Sequence, residues 1–225
     1  PLGAVGALVD TAGVLLVAQA LALAAAAFPL ARLGARHLGP AGRVAGALAW
    51  LFYPNLGHVA GYEFHVGSLA VLPLAWMAVA VDEGRPRLLA ATALGALACR
   101  EDLALLTGFG ALLFGLRHPG ARRCALATGF GTLGWFLFFA LHLHPRHAPA
   151  EGSLELHFGR FGDGIGEVLF YLATHPAELV AHLATPERLA YLPKVLAPLA
   201  LLPLARPGWL LPALPPLAIN LLSEW

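Results

Sequence analysis

The stretch RLLAATALGALACREDLALLTGFGALLFGL, residues 87–116, contains the pattern that decides the fold. It consists of two apolar runs with Arg100, Glu101 and Asp102 side by side between them. In a lipid bilayer, three adjacent charges at mid-depth would each cost several kcal/mol. The interpretation of this stretch therefore depends on the medium that surrounds the chain.

The composition places the chain in a membrane. Hydrophobic residues make up 59 % of its 225 residues and charged residues 12 %, and the mean hydropathy is +0.73. A soluble globular domain has about 45–50 % apolar and about 25 % charged residues. Charge at half that level cannot cover a water-exposed surface, so we predict an integral membrane protein. The net charge of +1, without basic runs interleaved with aromatic residues, argues against nucleic-acid binding.

Apolar segments recur along the whole chain at the scale of a bilayer crossing, which takes about 20 residues in a helix. We predict an all-α, polytopic transmembrane helical bundle of about eight spans, forming a single domain over residues 1–225. Between the sixth and seventh spans, residues 143–186 form an outer loop with short amphipathic helices at the interface. The chain starts at Pro1 and stops within an apolar run, so we expect a fragment lacking both ends. The predicted spans are 11–33, 41–57, 66–81, 87–99, 103–117, 124–142, 187–204 and 207–223.

Alternation of these spans sorts the charges between two faces. Nine of the fourteen basic residues fall on one face, with only Asp82 and Glu83 of the thirteen acids, while eight of the ten histidines fall on the other. Short loops rich in Lys and Arg stay in the cytoplasm. We therefore predict that the Arg-rich short loops are cytoplasmic and that the loops rich in histidine and acids lie outside. Cys99 and Cys124 fall on opposite faces, so both are predicted to be free thiols.

The loops at 82–87 and 117–123 both carry arginine and both belong to the cytoplasmic face, so two crossings lie between them. Arg100, Glu101 and Asp102 then form the turn of a helical hairpin on the outer side. Each arm of about 13–15 residues rises about 20–22 Å, against a hydrocarbon core of about 30 Å. We therefore predict that the turn is recessed below the membrane surface, where a charge cluster is costly and marks a functional candidate.

Two further polar clusters fall on the outer face. YPNLGHVAGYEFHVGSLAVLP, residues 53–73, joins the second and third spans and carries Tyr62, Glu63 and His65. On an extended segment, Glu63 and His65 point the same way. The other cluster is LHFGRFGDG, residues 156–164, with His157, Arg160 and Asp163.

These motifs resemble a bacterial and archaeal family of polytopic membrane proteins, domain-of-unknown-function family 2079. The family pattern has an aromatic-acid-Phe-His motif, a Lys-Glu-Asp motif, an Arg-aromatic-Gly motif and an Asn-Leu-Leu-Ser motif. The resemblance covers essentially all 225 residues. Arg100 stands where Lys is usual, which keeps the charge but alters its geometry. The matching positions are Tyr62-Glu63-Phe64-His65, Arg100-Glu101-Asp102, Arg160-Phe161-Gly162 and Asn220-Leu221-Leu222-Ser223.

The family is similar in layout to GT-C glycosyltransferases, which take sugars from polyprenyl-phosphate carriers at the outer membrane face. In those enzymes the expected catalytic base is an acid in the first outer loop, which is missing here. The resemblance implies that another outer-face carboxylate deprotonates an acceptor hydroxyl while a cation holds the carrier's phosphate. The candidate catalytic residues are Glu63, His65, Glu101 and Asp102, and the candidate substrate-binding residues are Tyr62, Arg100, Arg160 and Lys194.

A transporter of a small or lipid-linked solute is the alternative function, and a purely structural role for each motif is the third interpretation. Arg100, Glu101 and Asp102 would then be a solvated turn. Transporters favour sites at mid-depth, built from broken helices and repeated halves. Here the charges gather at the outer ends of the spans and no internal repeat is found, which favours the transferase.

The outer loops at the ends of spans three, four and five are predicted to converge into one polar pocket, because consecutive spans pack together. Glu63 or His65 should then lie within about 10 Å of Glu101 or Asp102, the reach of side chains bridged by water or a metal. Acids this close together need a cation. The candidates are Arg100, a charged His65 or a bound divalent metal.

Two other patterns are interpreted as structural. His142, His144 and His147 suggest a metal site, but Pro145 breaks the local geometry and no acid or cysteine lies beside them, which favours a wet loop. GDGIGEV, residues 162–168, lacks the preceding strand and the spacing of a phosphate-binding loop. It predicts a turn into an interfacial helix.

Overall fold

The computed structural model describes residues 11–61, 63–143, 146, 158–162, 164–196, 204 and 206–223. These residues are 87 % helical and contain no strand, which confirms the all-α class. The chain divides into two compact units, Pro1–Phe136 and Leu137–Trp225. A single domain over the whole chain stays a prediction.

The first unit consists of consecutive helices joined by short connections. A 3₁₀ turn, Pro119–Ala121, leads into its last helix, which runs on into the second unit. Its helices are α1 (Thr11–Ala25), α2 (Ala27–Leu51), α3 (Pro54–Gly61), α4 (Val66–Leu69), α5 (Val71–Glu83), α6 (Pro86–Leu97), α7 (Leu103–Arg117) and α8 (Arg122–Phe138).

In the second unit, a π-helical turn, Phe139–Leu143, follows the end of α8. The two short amphipathic helices predicted for the outer loop are present as α9 and α10, and their place at a membrane interface stays a prediction. The described elements are α9 (Ile165–Thr174), α10 (Pro176–Leu183), α11 (Pro186–Leu196), a 3₁₀ segment Pro207–Ala213 and α12 (Leu214–Leu222).

Three helical segments of the described chain are long and apolar enough to cross a membrane: Ala12–Leu51, Val66–Glu83 and Pro119–Leu143. The last two match the predicted third and sixth spans. Three shorter apolar helices correspond to the predicted fourth, fifth and eighth spans. These are Pro86–Leu97, Leu103–Arg117 and Pro207–Leu222. In the predicted seventh span α11 ends at Leu196, and residues 197–203 lie outside the described part, so the total of eight stays a prediction.

The longest of these segments reverses its direction at Gly39. This residue has φ 71° and ψ −158°, a conformation that glycine adopts without steric cost. Beyond it the chain returns along itself: a Cβ on Gly46 would lie 2.6 Å from the carbonyl oxygen of Leu30, and Trp50 Nε1 donates to the carbonyl oxygen of Leu23 at 2.8 Å. In an uninterrupted helix these pairs would be about 24 and about 40 Å apart. The segment is therefore two antiparallel arms, and the reversal lies between the predicted first and second spans.

The two arms touch through glycine. A methyl group on Gly34 or on Gly42 would overlap the carbonyl oxygen of the other residue. Gly42 and Gly46 also have the G-x-x-x-G spacing that lets membrane helices approach closely. Close backbone packing, rather than interdigitated large side chains, joins these arms.

Helices α5, α6 and α7 form the packed centre of the first unit. Helix α5 packs against both arms of the hairpin made by α6 and α7. Each helix contributes a side chain with no exposed surface: Val79, Leu89 and Phe114. The hairpin arms of 12 and 15 residues rise only about 18 and about 22 Å, as predicted. Since the three helices alternate in direction, the α6–α7 turn lies at one end of this group and the α5–α6 turn at the other.

Acids and bases from three connections meet at the end that holds the α5–α6 turn. The Asp82 side chain is 2 % exposed and lies 2.9 Å from Arg36 Nε, 2.9 Å from His37 Nε2 and 3.9 Å from Arg117 Nη2. Glu83 next to it pairs with Arg32 at 2.5 Å and 3.0 Å. The arginine-bearing connections that alternation assigns to one face thus lie together, and the side of the membrane that they face stays a prediction.

Candidate functional site

A cavity with charged side chains in its lining lies at the opposite end of the first unit, beside the α6–α7 turn. Its volume is about 500 Å³. Three parts of the chain enclose it: the end of α3, the segment leading through α4, and the hairpin turn. The lining residues are His58, Val59, His65, Gly67, Ser68, Arg100, Asp102 and Leu103.

The hairpin turn supplies an ion pair to this cavity. Arg100 Nε lies 3.0 Å from Asp102 Oδ1, and Nη2 lies 2.5 Å from Oδ2, so the two groups meet as a bidentate pair. Both side chains are about half exposed, at 54 % and 42 %. The pair leaves the third guanidinium nitrogen, Nη1, outside it. Of the cations considered for the acids of this cluster, Arg100 is the one that pairs with Asp102.

Glycine at position 67 makes room for Arg100. A Cβ at this position would lie 3.0 Å from Arg100 Cδ and 3.5 Å from Nη1. The guanidinium stem therefore lies directly against the backbone of α4. This contact joins the loop that carries His65 to the hairpin turn.

His65 is held by the backbone of its own loop. Its Nδ1 lies 2.8 Å from the carbonyl oxygen of Glu63, an acceptor, so Nδ1 carries the proton in the neutral ring. Nε2 then keeps a lone pair and can accept a proton. The side chain of His65 is exposed and lines the cavity.

Gln19 holds this loop through two hydrogen bonds of its side-chain amide. It lies in the middle of α1 and has no exposed surface. Its Nε2 donates to the carbonyl oxygen of Val59 at 2.8 Å, and its Oε1 accepts from the backbone N–H of His65 at 2.9 Å. One buried amide thus ties the last turn of α3 and the residue before α4 to α1.

The structure brings some of the predicted site residues together and leaves others apart. His65, Arg100 and Asp102 line one cavity, which agrees with the predicted convergence of the two loops. Glu63 reaches His65 through its carbonyl oxygen, and Glu101 is half-buried in the hairpin turn without lining the cavity.

The remaining predicted residues fall elsewhere. Arg160 and Lys194 belong to the second unit and are exposed. Tyr62, Asp163, His144, His147 and His157 lie outside the described residues. Among the residues that are described, no group of three or more His, Cys, Asp or Glu could hold a metal ion, and the divalent metal stays a hypothesis. Cys99 and Cys124 are both free, as predicted.

A second cavity, of about 420 Å³, lies in the second unit at the C-terminal end of α12. Arg188 donates from Nε to the carbonyl oxygen of Leu221 at 2.7 Å and from Nη2 to that of Ser223 at 2.9 Å. The last carbonyls of a helix lack intrahelical partners and carry partial negative charge, so a guanidinium there is stabilising. The lining residues are Thr185, Glu187, Arg188, Tyr191, Asn220, Leu221 and Ser223.

The Arg-aromatic-Gly motif has a packing role in the second unit. Phe161 is 4 % exposed and its ring contacts those of Tyr171 and His182. Gly162 has φ 146°, and a side chain there would meet Glu167. The predicted turn into a helix is confirmed, since α9 begins at Ile165.

Sequence reasoning did not single out Gln19 or Arg188 as parts of these sites. A signal exists for Gln19, because it is the one polar side chain between residues 12 and 31. An amide in such a segment needs a partner within the protein. Arg188 shows no local signal, because its partners lie 33 and 35 positions further along the chain.

Apolar helices of membrane-spanning length place the chain in the class of helical membrane proteins. Within this class, the chain belongs to the family described as Predicted membrane protein (DUF2079), which it matches over residues 10–225. The resemblance drawn from the motifs is thereby confirmed. No curated protein and no solved structure matches the chain.

Proposed function

We propose that this protein is a GT-C-like glycosyltransferase that takes a sugar from a polyprenyl-phosphate carrier at the outer membrane face. The observation that supports the proposal best is the cavity at the hairpin turn, which an imidazole, a guanidinium and a carboxylate line together. These are the groups that a transfer from a phosphate leaving group needs. The hairpin arms are shorter than the hydrocarbon core is thick, which supports a position of this cavity near the depth of a carrier's phosphate.

His65 acts as the general base in this proposal. Its Nδ1 is engaged by the Glu63 carbonyl, so Nε2 takes the proton from the acceptor hydroxyl. The acceptor oxygen then bonds to the anomeric carbon of the sugar, and the bond from that carbon to the phosphate oxygen breaks. The polyprenyl phosphate leaves with the bonding electrons.

Arg100 holds the phosphate of the carrier. Its Nη1 lies outside the pair with Asp102 and can donate to a phosphate oxygen, where a charge-assisted hydrogen bond is strong. Asp102 fixes the plane of the guanidinium. The other residues predicted from the sequence extend the same proposal, Glu63 and Glu101 as further acids and Tyr62, Arg160 and Lys194 as substrate-binding groups.

A transporter is less well supported. The described charges of the first unit gather at the two ends of its helices, whereas transporter sites lie near mid-depth between broken helices. In keeping with the transferase, the end with Arg100 faces outward and the end with Asp82 faces the cytoplasm.

The test uses the purified protein in lipid nanodiscs with polyprenyl phosphate carrying radiolabelled glucose, mannose or galactose. Release of label from the lipid phase reports cleavage of the donor whatever the acceptor. His65→Ala and Arg100→Gln are each expected to lower release by about 100-fold or more. Arg43→Gln and His142→Ala, both exposed and neither of them a lining residue of the cavity, serve as matched controls. Equal release by the His65 and wild-type proteins, or protein-independent release of every donor, contradicts the proposal.

A further inference from the structure

An apolar groove runs between α7 and α8 on the first unit. Its volume is about 420 Å³. Its walls are large side chains that the protein leaves exposed, among them Leu116 at 67 % and Phe130 at 72 %. Arg122, at one end, is the only charged residue among the described lining residues.

The groove exists because small residues bring the two helices close together. A Cβ on Gly115 would lie 3.0 Å from Ala125 Cβ, and one on Gly108 would lie 3.2 Å from the side chain of Leu133. The side chains of Ala125 and Leu133 therefore lie directly against the glycines of α7, as small residues permit in membrane helices. The larger side chains on either side leave a furrow between the two helices.

The end of the groove at Arg122 is strongly basic. Arg123 follows directly and is exposed. Among the residues that the structure describes, the same end of the first unit carries eight arginines and two acids, and those acids already pair with other residues of this end. The eight arginines are Arg32, Arg36, Arg43, Arg85, Arg87, Arg117, Arg122 and Arg123.

We propose that this groove binds one anionic phospholipid. An acyl chain lies along the furrow between α7 and α8, and the phosphate lies against Arg122 and Arg123. The apolar walls select a lipid over a soluble phosphate, and the two arginines select an anionic headgroup over a zwitterionic one. This site is separate from the cavity at the hairpin turn and does not depend on the transferase proposal.

The test is native mass spectrometry of the full, delipidated protein with equal amounts of phosphatidylglycerol and phosphatidylcholine that carry the same acyl chains. One phosphatidylglycerol is expected to be retained in preference, by about fivefold for each arginine that contacts it. Arg122→Gln with Arg123→Gln abolishes the preference. Phe130→Ala lowers retention of both lipids and leaves the fold intact, since this ring is 72 % exposed.

Matched controls separate this site from general attraction. Arg43→Gln removes an arginine at the same end, and Phe28→Ala removes a ring that is 74 % exposed on α2, so neither should change lipid retention. Equal retention of the two lipids by the wild-type protein overturns the proposal, as does an equal effect of Arg43→Gln. Retention of dibutyryl phosphatidylglycerol as strong as that of the long-chain lipid shows a headgroup site alone and also overturns it.

Discussion

At the scale of single residues, Gln19 is a buried polar side chain in an apolar helix that holds two other parts of the chain by hydrogen bonds. Its amide satisfies a backbone acceptor at Val59 and a backbone donor at His65. Gln19→Leu removes both hydrogen bonds and keeps a similar volume. Because a buried polar group without a partner costs about 1–3 kcal/mol, we expect a lower free energy of unfolding by about that amount.

Thermal unfolding in detergent measures this change. Val17→Ala on the same helix, at a side chain that is 59 % exposed, is the control and should leave the melting temperature nearly unchanged. If Gln19→Leu is as stable as the Val17 variant, the amide is not what holds the loop.

Tyr171 offers a pH-dependent test in the second unit. Its hydroxyl donates to Glu178, and this hydrogen bond, reinforced by burial and by the carboxylate charge, raises the pKa of Tyr171 above its ordinary value. Since the folded-state pKa is the higher one, the stabilisation is fully present below the unfolded pKa of about 10 and is lost as the pH rises through the folded pKa. The absorbance of tyrosinate at 295 nm is followed during a pH titration of the wild-type protein and of Tyr171→Phe. The difference between the two curves should show that Tyr171 ionises at a higher pH than an ordinary tyrosine.

Glu178→Ala should lower the pKa of Tyr171 towards its ordinary value of about 10, and Glu187→Ala is the matched control, in which the pKa should stay raised. An unchanged titration in Glu178→Ala would show that the carboxylate is not the cause.

At the scale of elements, the glycine contact within α2 determines whether its two arms can pair. A methyl group on Gly42 would overlap the carbonyl oxygen of Gly34, and backbone atoms cannot move aside as a flexible side chain can. We therefore expect Gly42→Ala to destabilise the protein by about 1–3 kcal/mol or more, as overpacking does. Denaturant titration followed by intrinsic fluorescence measures the loss.

Gly131→Ala is the control for that substitution. Gly131 lies within α8, and a Cβ there would meet nothing within 4 Å, so the methyl group should be neutral or slightly stabilising. Equal stability of the two variants would mean that the arms of α2 do not pack through Gly42.

The elements could be predicted from the sequence where a local physical rule applies. Because three adjacent charges are too costly at mid-bilayer, the sequence predicts the α6–α7 hairpin and a span that begins at Leu103, where α7 does begin. Gly39 and Pro40 lie within the predicted connection of the first two spans. The pairing of Gln19 with residues 40 and 46 positions away has no local rule, because tertiary packing alone decides it.

At the scale of the whole molecule, the sidedness of the connections is open to a direct test. With Cys99 and Cys124 replaced by serine, single cysteines are placed at Ala150 and at Gly120. A membrane-impermeant maleimide added to intact cells should label position 150 and not position 120, because arginine-rich connections stay in the cytoplasm. Disruption of the cells should expose both positions, and equal labelling in intact cells would refute the alternation of spans.

The candidate site shows the same division between what sequence can and cannot predict. That His65, Arg100 and Asp102 lie near one another could be predicted from the sequence, because alternation of the spans puts their loops at one face and consecutive spans pack together. The role of Gly67 could not be predicted, since the space that Arg100 occupies against α4 depends on the depth of the hairpin turn. The cavity of the second unit depends on contacts between α11 and α12, which no periodicity encodes.

Some partners of Asp82 precede it in the chain and another follows it. The order in which they are synthesised therefore bears on the insertion of the protein into the membrane. Arg36 and His37 leave the ribosome before α5, and Arg117 leaves it later. The carboxylate at the end of α5 therefore meets its first counter-charges as this helix passes from the translocon into lipid. We expect Arg36→Gln to reduce insertion of α5 in ribosome-arrested chains that stop at residue 130, in which α5 has left the exit tunnel and Arg117 is still inside it, as measured by protease protection. Arg117→Gln can affect only longer chains, in which this residue has also left the ribosome, and a defect from Arg36→Gln confined to the finished protein would show that the early pairing plays no part in biogenesis.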